Sequence, residues 1–213
     1  MSVTQKHVLF LIALGAIFFF PFLGNVHLFD WDEINFAESA REMIETNDYF
    51  RVQINYEPFW EKPPFFFWLQ VVSMKIFGIN EFAARFPNAL LGIISLVTIY
   101  FIGKKLISDK FGLIWSMVYF ASFLPHMYFK SGIIDPFFNF FIFLSLFFLI
   151  LTIEKPTTRK TNALISGIFI GLAIITKGPV GLLLLVLTLI VYLIAKKGKA
   201  KIKPITVIIF FFS

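Results

Sequence analysis

Apolar runs long enough to cross a bilayer recur along this chain, and nothing else in it constrains the fold as strongly. A hydrocarbon core of about 30 Å needs about twenty apolar residues at a rise of about 1.5 Å each. Mostly apolar runs bounded by charge, Pro or Gly lie at roughly 8–29, 87–106, 111–129, 136–153, 162–176 and 179–195, with another opening at about 204. No water is available in lipid to satisfy backbone polar groups, so such runs become helices. The expected fold class is an all-α polytopic membrane protein, and a content of 58% hydrophobic residues with 31 Phe agrees. The sequence stops inside the run that opens near 204. We therefore expect a chain truncated in about the seventh transmembrane helix, with residues 1–213 forming the N-terminal part of one larger module. The first run is longer than a signal-peptide core and lacks a small-x-small cleavage pattern, which makes it a retained anchor.

A formal net charge of +6 could suggest nucleic acid, but the bases sit in short clusters between apolar runs, as loops do beside anionic lipid headgroups. Nucleic acid is excluded on that ground, and membrane lipids are the expected partners. The run from Pro64 to Phe77 is ambiguous, being apolar but short and interrupted by Lys75. If it stays in the interface, Lys104, Lys105 and Lys110 fall on the same side as Lys155, Arg159, Lys160 and the Lys196–Lys203 cluster. That arrangement puts eleven of the nineteen Lys and Arg in three cytoplasmic loops. The N-terminus is then cytoplasmic, and residues 30–86 form one long external loop.

Nine of the thirteen acidic residues lie between Asp30 and Glu61, inside that loop. Asp32 to Thr46 has Phe36, Ala40, Met43 and Ile44 at helical spacing, with Glu38, Arg41, Glu42 and Glu45 on the other side, so a juxtamembrane amphipathic helix is expected. A second should run from Pro64 to Phe77. A further turn over Asn80–Phe86 would pair Glu81 with Arg85 at i,i+4.

The same topology sends Asp32, Glu33, Glu61 and Lys62 of the first external loop, Asp135 of the second and Lys177 of the third to one face. Carboxylates there can deprotonate or orient a nucleophile, and a lysine in a partly dry site suits a phosphate. Each has a plainer reading. Asp32 and Glu33 suit a helix N-terminus, Asp135 before Pro136 suits an N-cap with Pro at N1, and Lys62 and Lys177 suit interfacial anchors. There is no Cys and the three His are scattered, so no metal motif is recognisable. Glu61 leaves a divalent cation open, and no cofactor is assigned.

The ordered run Asp32-Glu33-x-x-Phe36-Ala37-Glu38-x-Ala40-Arg41-Glu42-Met43, then Glu57-Pro58-x-x-Glu61-Lys62-Pro63-Pro64, then Phe77-Gly78-x-x-Glu81-Phe82-x-Ala84-Arg85-x-Pro87, resembles the start of the GT-C membrane glycosyltransferases. Ile134-Asp135-Pro136 and Thr176-Lys177-Gly178-Pro179 resemble that family's later signatures. The nearest groups are the lipid A aminoarabinose transferases and the protein mannosyltransferase-like bacterial enzymes. The resemblance implies a polyprenyl-phosphate sugar donor, a lipid or protein acceptor, and inversion at the anomeric carbon. It further implies a multi-pass protein of the bacterial inner membrane with its active site facing the periplasm. On matching positions it places Asp32 and Asp135 at the catalytic centre and Lys62 at the donor phosphate, while Glu33, Glu61 and Lys177, sent to the same face, are the further candidates for substrate binding. Asn35 stands where many members carry Arg. Two other classes remain open: a transporter or flippase for a lipid-linked or anionic solute, which would keep its charges near the midplane, and a non-catalytic assembly subunit.

Overall fold

The computed structural model describes residues 1–29 and 31–196, so the run near 204 and the bases beyond Lys196 lie outside the described residues. Helix α1 (Val3–Phe19) opens on a reciprocal cap in which the Ser2 hydroxyl accepts from the Gln5 amide and the Gln5 side chain accepts from the Ser2 amide. It ends well before the expected residue 29. Pro21 lacks an N–H and its ring would oppose the Ile17 carbonyl, so the chain leaves the helix, with Phe22 at φ 65°.

Helix α2 (Trp31–Thr46) buries Phe36, Ala37, Ala40 and Met43. A hairpin follows, with strands β1 (Gln53–Ile54) and β2 (Glu57–Pro58) joined through Asn55 and Tyr56 at φ 55° and 61°. Two consecutive left-handed residues are the signature of a tight hairpin turn. Helix α3 (Phe65–Phe77) has 13 residues, about 20 Å at 1.5 Å per residue and too short to cross a bilayer unaided. Phe66 and Phe67 meet Phe36 edge-on, with centroids 6.2 and 5.6 Å away, which packs α3 against α2.

Helix α4 (Glu81–Leu106) fuses the expected 80–86 turn with the expected span at 87–106. Asn80 caps it by accepting from the Ala83 amide at 2.9 Å, and Pro87 is accommodated inside. The expected span at 111–129 divides into α5 (Asp109–Ala121) and α6 (Phe123–Phe129) at Ser122. Pro125 explains the break, because its ring would collide with the carbonyl of Ala121 in a continuous helix. Helices α4 and α5 approach backbone to backbone. A Cβ on Gly103 would lie 2.7 Å from the Cα of Gly112, so these small residues set the spacing. At that end Asp109 accepts from the Tyr100 hydroxyl at 2.6 Å and pairs with Lys104 at 3.0 Å.

The later helices are α7 (Asp135–Glu154), α8 (Arg159–Lys177) and α9 (Val180–Ala195). By contact, the chain falls into two compact units: Met1–Phe59 with Phe66–Pro136, and Trp60–Phe65 with Phe137 onward. The second has a core of Phe138, Phe141, Ile142, Ile170, Ala173 and Leu185. Ser145 and Ser166 each donate to the other's carbonyl, at 2.9 and 2.7 Å, a polar joint suited to helices meeting in lipid. Among the described residues α4, α7 and α8 are long and apolar enough to cross a membrane, while α1, α3 and α9 are shorter apolar helices.

Two measurements check this frame. The chain has no native Cys, and both Glu57 and Ser108 are exposed. In intact cells an impermeant thiol reagent should label Glu57→Cys and spare Ser108→Cys; labelling of the latter from outside would reverse the topology. Hydrogen bonds from Tyr100 and then Lys104 hold the Asp109 carboxyl down at about 2, from an ordinary 3.8. A depressed folded value contributes stability that is present above the unfolded value and lost as pH falls through the folded one. Asp109→Asn should therefore lower the thermal midpoint in detergent near neutrality, and the difference from the parent should shrink as pH falls from about 4 toward and below 2.

Candidate functional site

Two clusters, one in each unit, receive the residues singled out by the sequence. In the first unit Asp32 and Glu33 occupy the opening turn of α2, where carboxylates complement the helix dipole. Their environments differ sharply. Asp32 is half-buried, whereas Glu33 is 1% exposed and faces Arg85, itself 3% exposed. Glu33 Oε1 accepts from Arg85 Nε at 2.8 Å and from the Gly132 amide at 2.6 Å. Oε2 accepts from Arg85 Nη2 at 2.8 Å and from the Phe29 amide at 2.9 Å. Both oxygens of Glu33 are thus engaged inside the protein. The expected Glu81–Arg85 pair is replaced: Arg85 turns inward to Glu33, and Glu81 meets His27 at 3.1 Å.

Asp135 is half-buried and is the first residue of α7, with Pro136 second, one position later than the expected N-cap and N1. The stretch leading to it is gripped from α4. Asn88 donates to the carbonyls of Ser131 and Ile133 at 2.6 and 2.8 Å, on either side of the Gly132 amide that Glu33 holds.

Sequence periodicity placed Glu42 on the polar face of α2, but it is fully buried. The hairpin covers it, and its Oε2 accepts from the Tyr56 amide at 2.9 Å. The Tyr56 hydroxyl donates to Glu45 at 2.6 Å, and Arg41 bridges Glu38 and Glu45 at 2.7 and 2.5 Å. Arg41 and Tyr56 hold the Glu38 and Glu45 carboxyls below their ordinary values. Sequence reasoning missed this clamp because a two-residue strand leaves no periodicity to read. Asn55 in the turn was the available signal.

In the second unit, Glu61 is exposed and Lys62 half-buried, just ahead of Pro63 and Pro64. Phe65 anchors that segment, meeting Phe137 and Phe141 of α7 edge-on at 6.2 and 5.4 Å. Lys177 ends α8 with its ammonium 5.6 Å from the ring centre of Phe138. Gly178, at φ 89°, then turns the chain toward α9. The first turns of α7 thus receive both the Lys62 segment and Lys177. Among the described residues Glu61 forms no ion pair with Lys62, and no three His, Cys, Asp or Glu side chains converge as a metal site would require.

Residues 61–212 match the family described as dolichyl-phosphate-mannose-protein mannosyltransferase. The chain belongs to this family. Relatives reinforce the assignment. Over 198 residues the chain is 30% identical to an undecaprenyl phosphate-alpha-4-amino-4-deoxy-L-arabinose arabinosyl transferase of Wigglesworthia glossinidia brevipalpis, covering 90% of this chain and 35% of the relative. It is 34% identical over 182 residues to an uncharacterized protein of Aquifex aeolicus, covering 84% of this chain and 41% of that one. The crystal structure of ArnT from Cupriavidus metallidurans bound to undecaprenyl phosphate superposes with a TM-score of 0.86 at 23% identity, over 99% of this chain and 40% of that one. The apo structure gives 0.84 at the same identity. The chain spans 32% to 41% of the length of these and other curated relatives it matches. Family and apolar helices together make it a multi-pass membrane protein with the ArnT fold.

The anchoring of Lys62 is directly testable. Phe65→Ala removes two aromatic contacts worth about 0.5–1.5 kcal/mol each, so about 1–3 kcal/mol of stability should be lost. If the Lys62 segment depends on that anchor, thiol labelling of Lys62→Cys should speed up when Phe65→Ala is added. Unchanged stability and labelling would show that Phe65 does not hold the segment.

Proposed function

We propose that the chain forms the N-terminal membrane module of a glycosyltransferase that takes a sugar from a polyprenyl phosphate and passes it to an acceptor outside the cytoplasmic membrane. The supporting observation is that the first turns of α7 receive Lys177, over the Phe138 ring, and the segment that carries the half-buried Lys62, held through Phe65. A lipid phosphate at a membrane interface needs cations held in that manner. The names of the relatives, and the undecaprenyl phosphate bound to ArnT, favour the same donor.

In this reading the acceptor oxygen attacks the anomeric carbon, the bond from that carbon to the phosphate oxygen breaks, and the polyprenyl phosphate departs with the electron pair. Lys62 and Lys177 stabilise the charge that develops on the departing phosphate. Asp32 orients the acceptor and, for a hydroxyl, takes its proton; Asp135 supplies a second carboxylate at the reacting centre. In-line attack from the face opposite the leaving group inverts the anomeric configuration. A lipid A phosphate as acceptor needs little base catalysis, and Asp32 then serves mainly to orient. Charges gathered at helix ends and in the first loop suit interfacial chemistry better than a transport path through the midplane.

Asp32→Asn and Lys62→Ala separate the two roles in transfer assays with the intact protein in liposomes. For a hydroxyl acceptor, Asp32→Asn should depress kcat by roughly a hundred- to ten-thousandfold, the range for a positioned base, with donor affinity little changed. Lys62→Ala should weaken donor binding as well as slow transfer. Parental rates in both variants, with unchanged donor affinity, would refute these roles.

A further inference from the structure

We propose that Glu33 and Arg85 are a positioning pair that fixes Asp32 and Asp135 in a common register. This rests on the reading of those two aspartates as site residues. The pair is the meeting point of otherwise separate stretches of backbone. Arg85 Nη1 donates to the carbonyls of Leu23 and Val26, each at 2.7 Å, and Nη2 to His27 at 3.1 Å. Glu33 closes the node by accepting the Phe29 and Gly132 amides. One side of the node is continuous with Asp32, the residue immediately before Glu33. The other reaches Gly132, three residues before Asp135 and flanked by the carbonyls that Asn88 holds.

A general need for a salt bridge does not account for this geometry. Each Glu33 oxygen receives one guanidinium N–H and one amide N–H, so the carboxylate orients backbone as well as neutralising a charge. Clearance at the joint is small: a Cβ on Gly132 would lie 3.1 Å from the Ala84 carbonyl oxygen and 3.4 Å from Glu33 Cγ. A displacement of the 131–134 segment is therefore transmitted toward Asp135 without touching any charge.

Gly132→Ala and Asp135→Asn, singly and combined in the intact protein, test this with the polyprenyl-phosphate sugar assay. A 1 Å displacement at a reacting centre can cost about a hundredfold, so Gly132→Ala should lower kcat by roughly ten- to a hundredfold. Its donor KM should stay within about twofold of the parent and its thermal midpoint near the parent's. If it acts through Asp135, adding it to Asp135→Asn should cost less than about threefold more, since residues working as one unit are non-additive. Independent, multiplicative losses, or an unchanged kcat in Gly132→Ala, would overturn the positioning role while leaving the site reading in place. An unchanged kcat in Asp135→Asn would overturn the site reading and the proposal with it. Should Gly132→Ala not fold, Asn88→Ala releases the same segment without added bulk and carries the same two outcomes.

Discussion

The buried ion pair of Glu33 and Arg85 is the interaction on which the first unit depends. Removing one partner of such a pair costs about 3–5 kcal/mol because a charge is left buried without compensation, a large part of a net stability of about 5–15 kcal/mol. The pair's second effect is on the backbone. Pro21 ends α1, and the residues after it lack helical partners for their carbonyls. Three of those carbonyls are taken up by the Arg85 guanidinium. Irregular backbone beside a membrane persists where protein groups satisfy it, and here a single side chain does so at a loop that leads straight to Asp32.

The second unit solves a similar problem with rings. Pro63 and Pro64 prevent the Lys62 segment from pairing as regular structure, so its location rests on Phe65 against Phe137 and Phe141. The adjoining Phe138 receives Lys177. Farther along, the reciprocal Ser145–Ser166 bonds hold α7 to α8 where apolar contact alone gives little specificity in lipid. Proline and phenylalanine are thus used for opposite ends: one frees the loop from helix, and the other fixes where the freed loop lies.

Much of the fold could be read from the chain because lipid imposes a simple rule on apolar runs, and α4, α7 and α8 obey it. The departures have local causes. Pro21 and Pro125 ended helices inside runs whose hydropathy looked continuous, while Pro87 did not end α4. The family assignment also followed from ordered motifs, and the match over 61–212 agrees with it. Partner choice was less legible. Arg85 had a nearby acid at i,i+4 in Glu81 but pairs with Glu33, more than fifty residues away, because only burial rewards a five-donor fork with five acceptors. Glu42 looked like a solvated helix residue until the hairpin covered it. Motif order identified which residues to examine, but their partners depend on tertiary neighbours that no local pattern encodes.

The central claim is that the intact protein consumes a polyprenyl-phosphate-linked sugar. Its most direct test is mass spectrometry of lipid extracts from cells with the gene deleted and restored, covering polyprenyl-phosphate sugars, lipid A and glycoproteins together. The account predicts that deletion enlarges one polyprenyl-phosphate sugar pool while one lipid or protein loses the corresponding sugar mass, with both changes reversed on restoration. Unchanged pools and acceptors in all three fractions, under conditions where the protein is made, would contradict it.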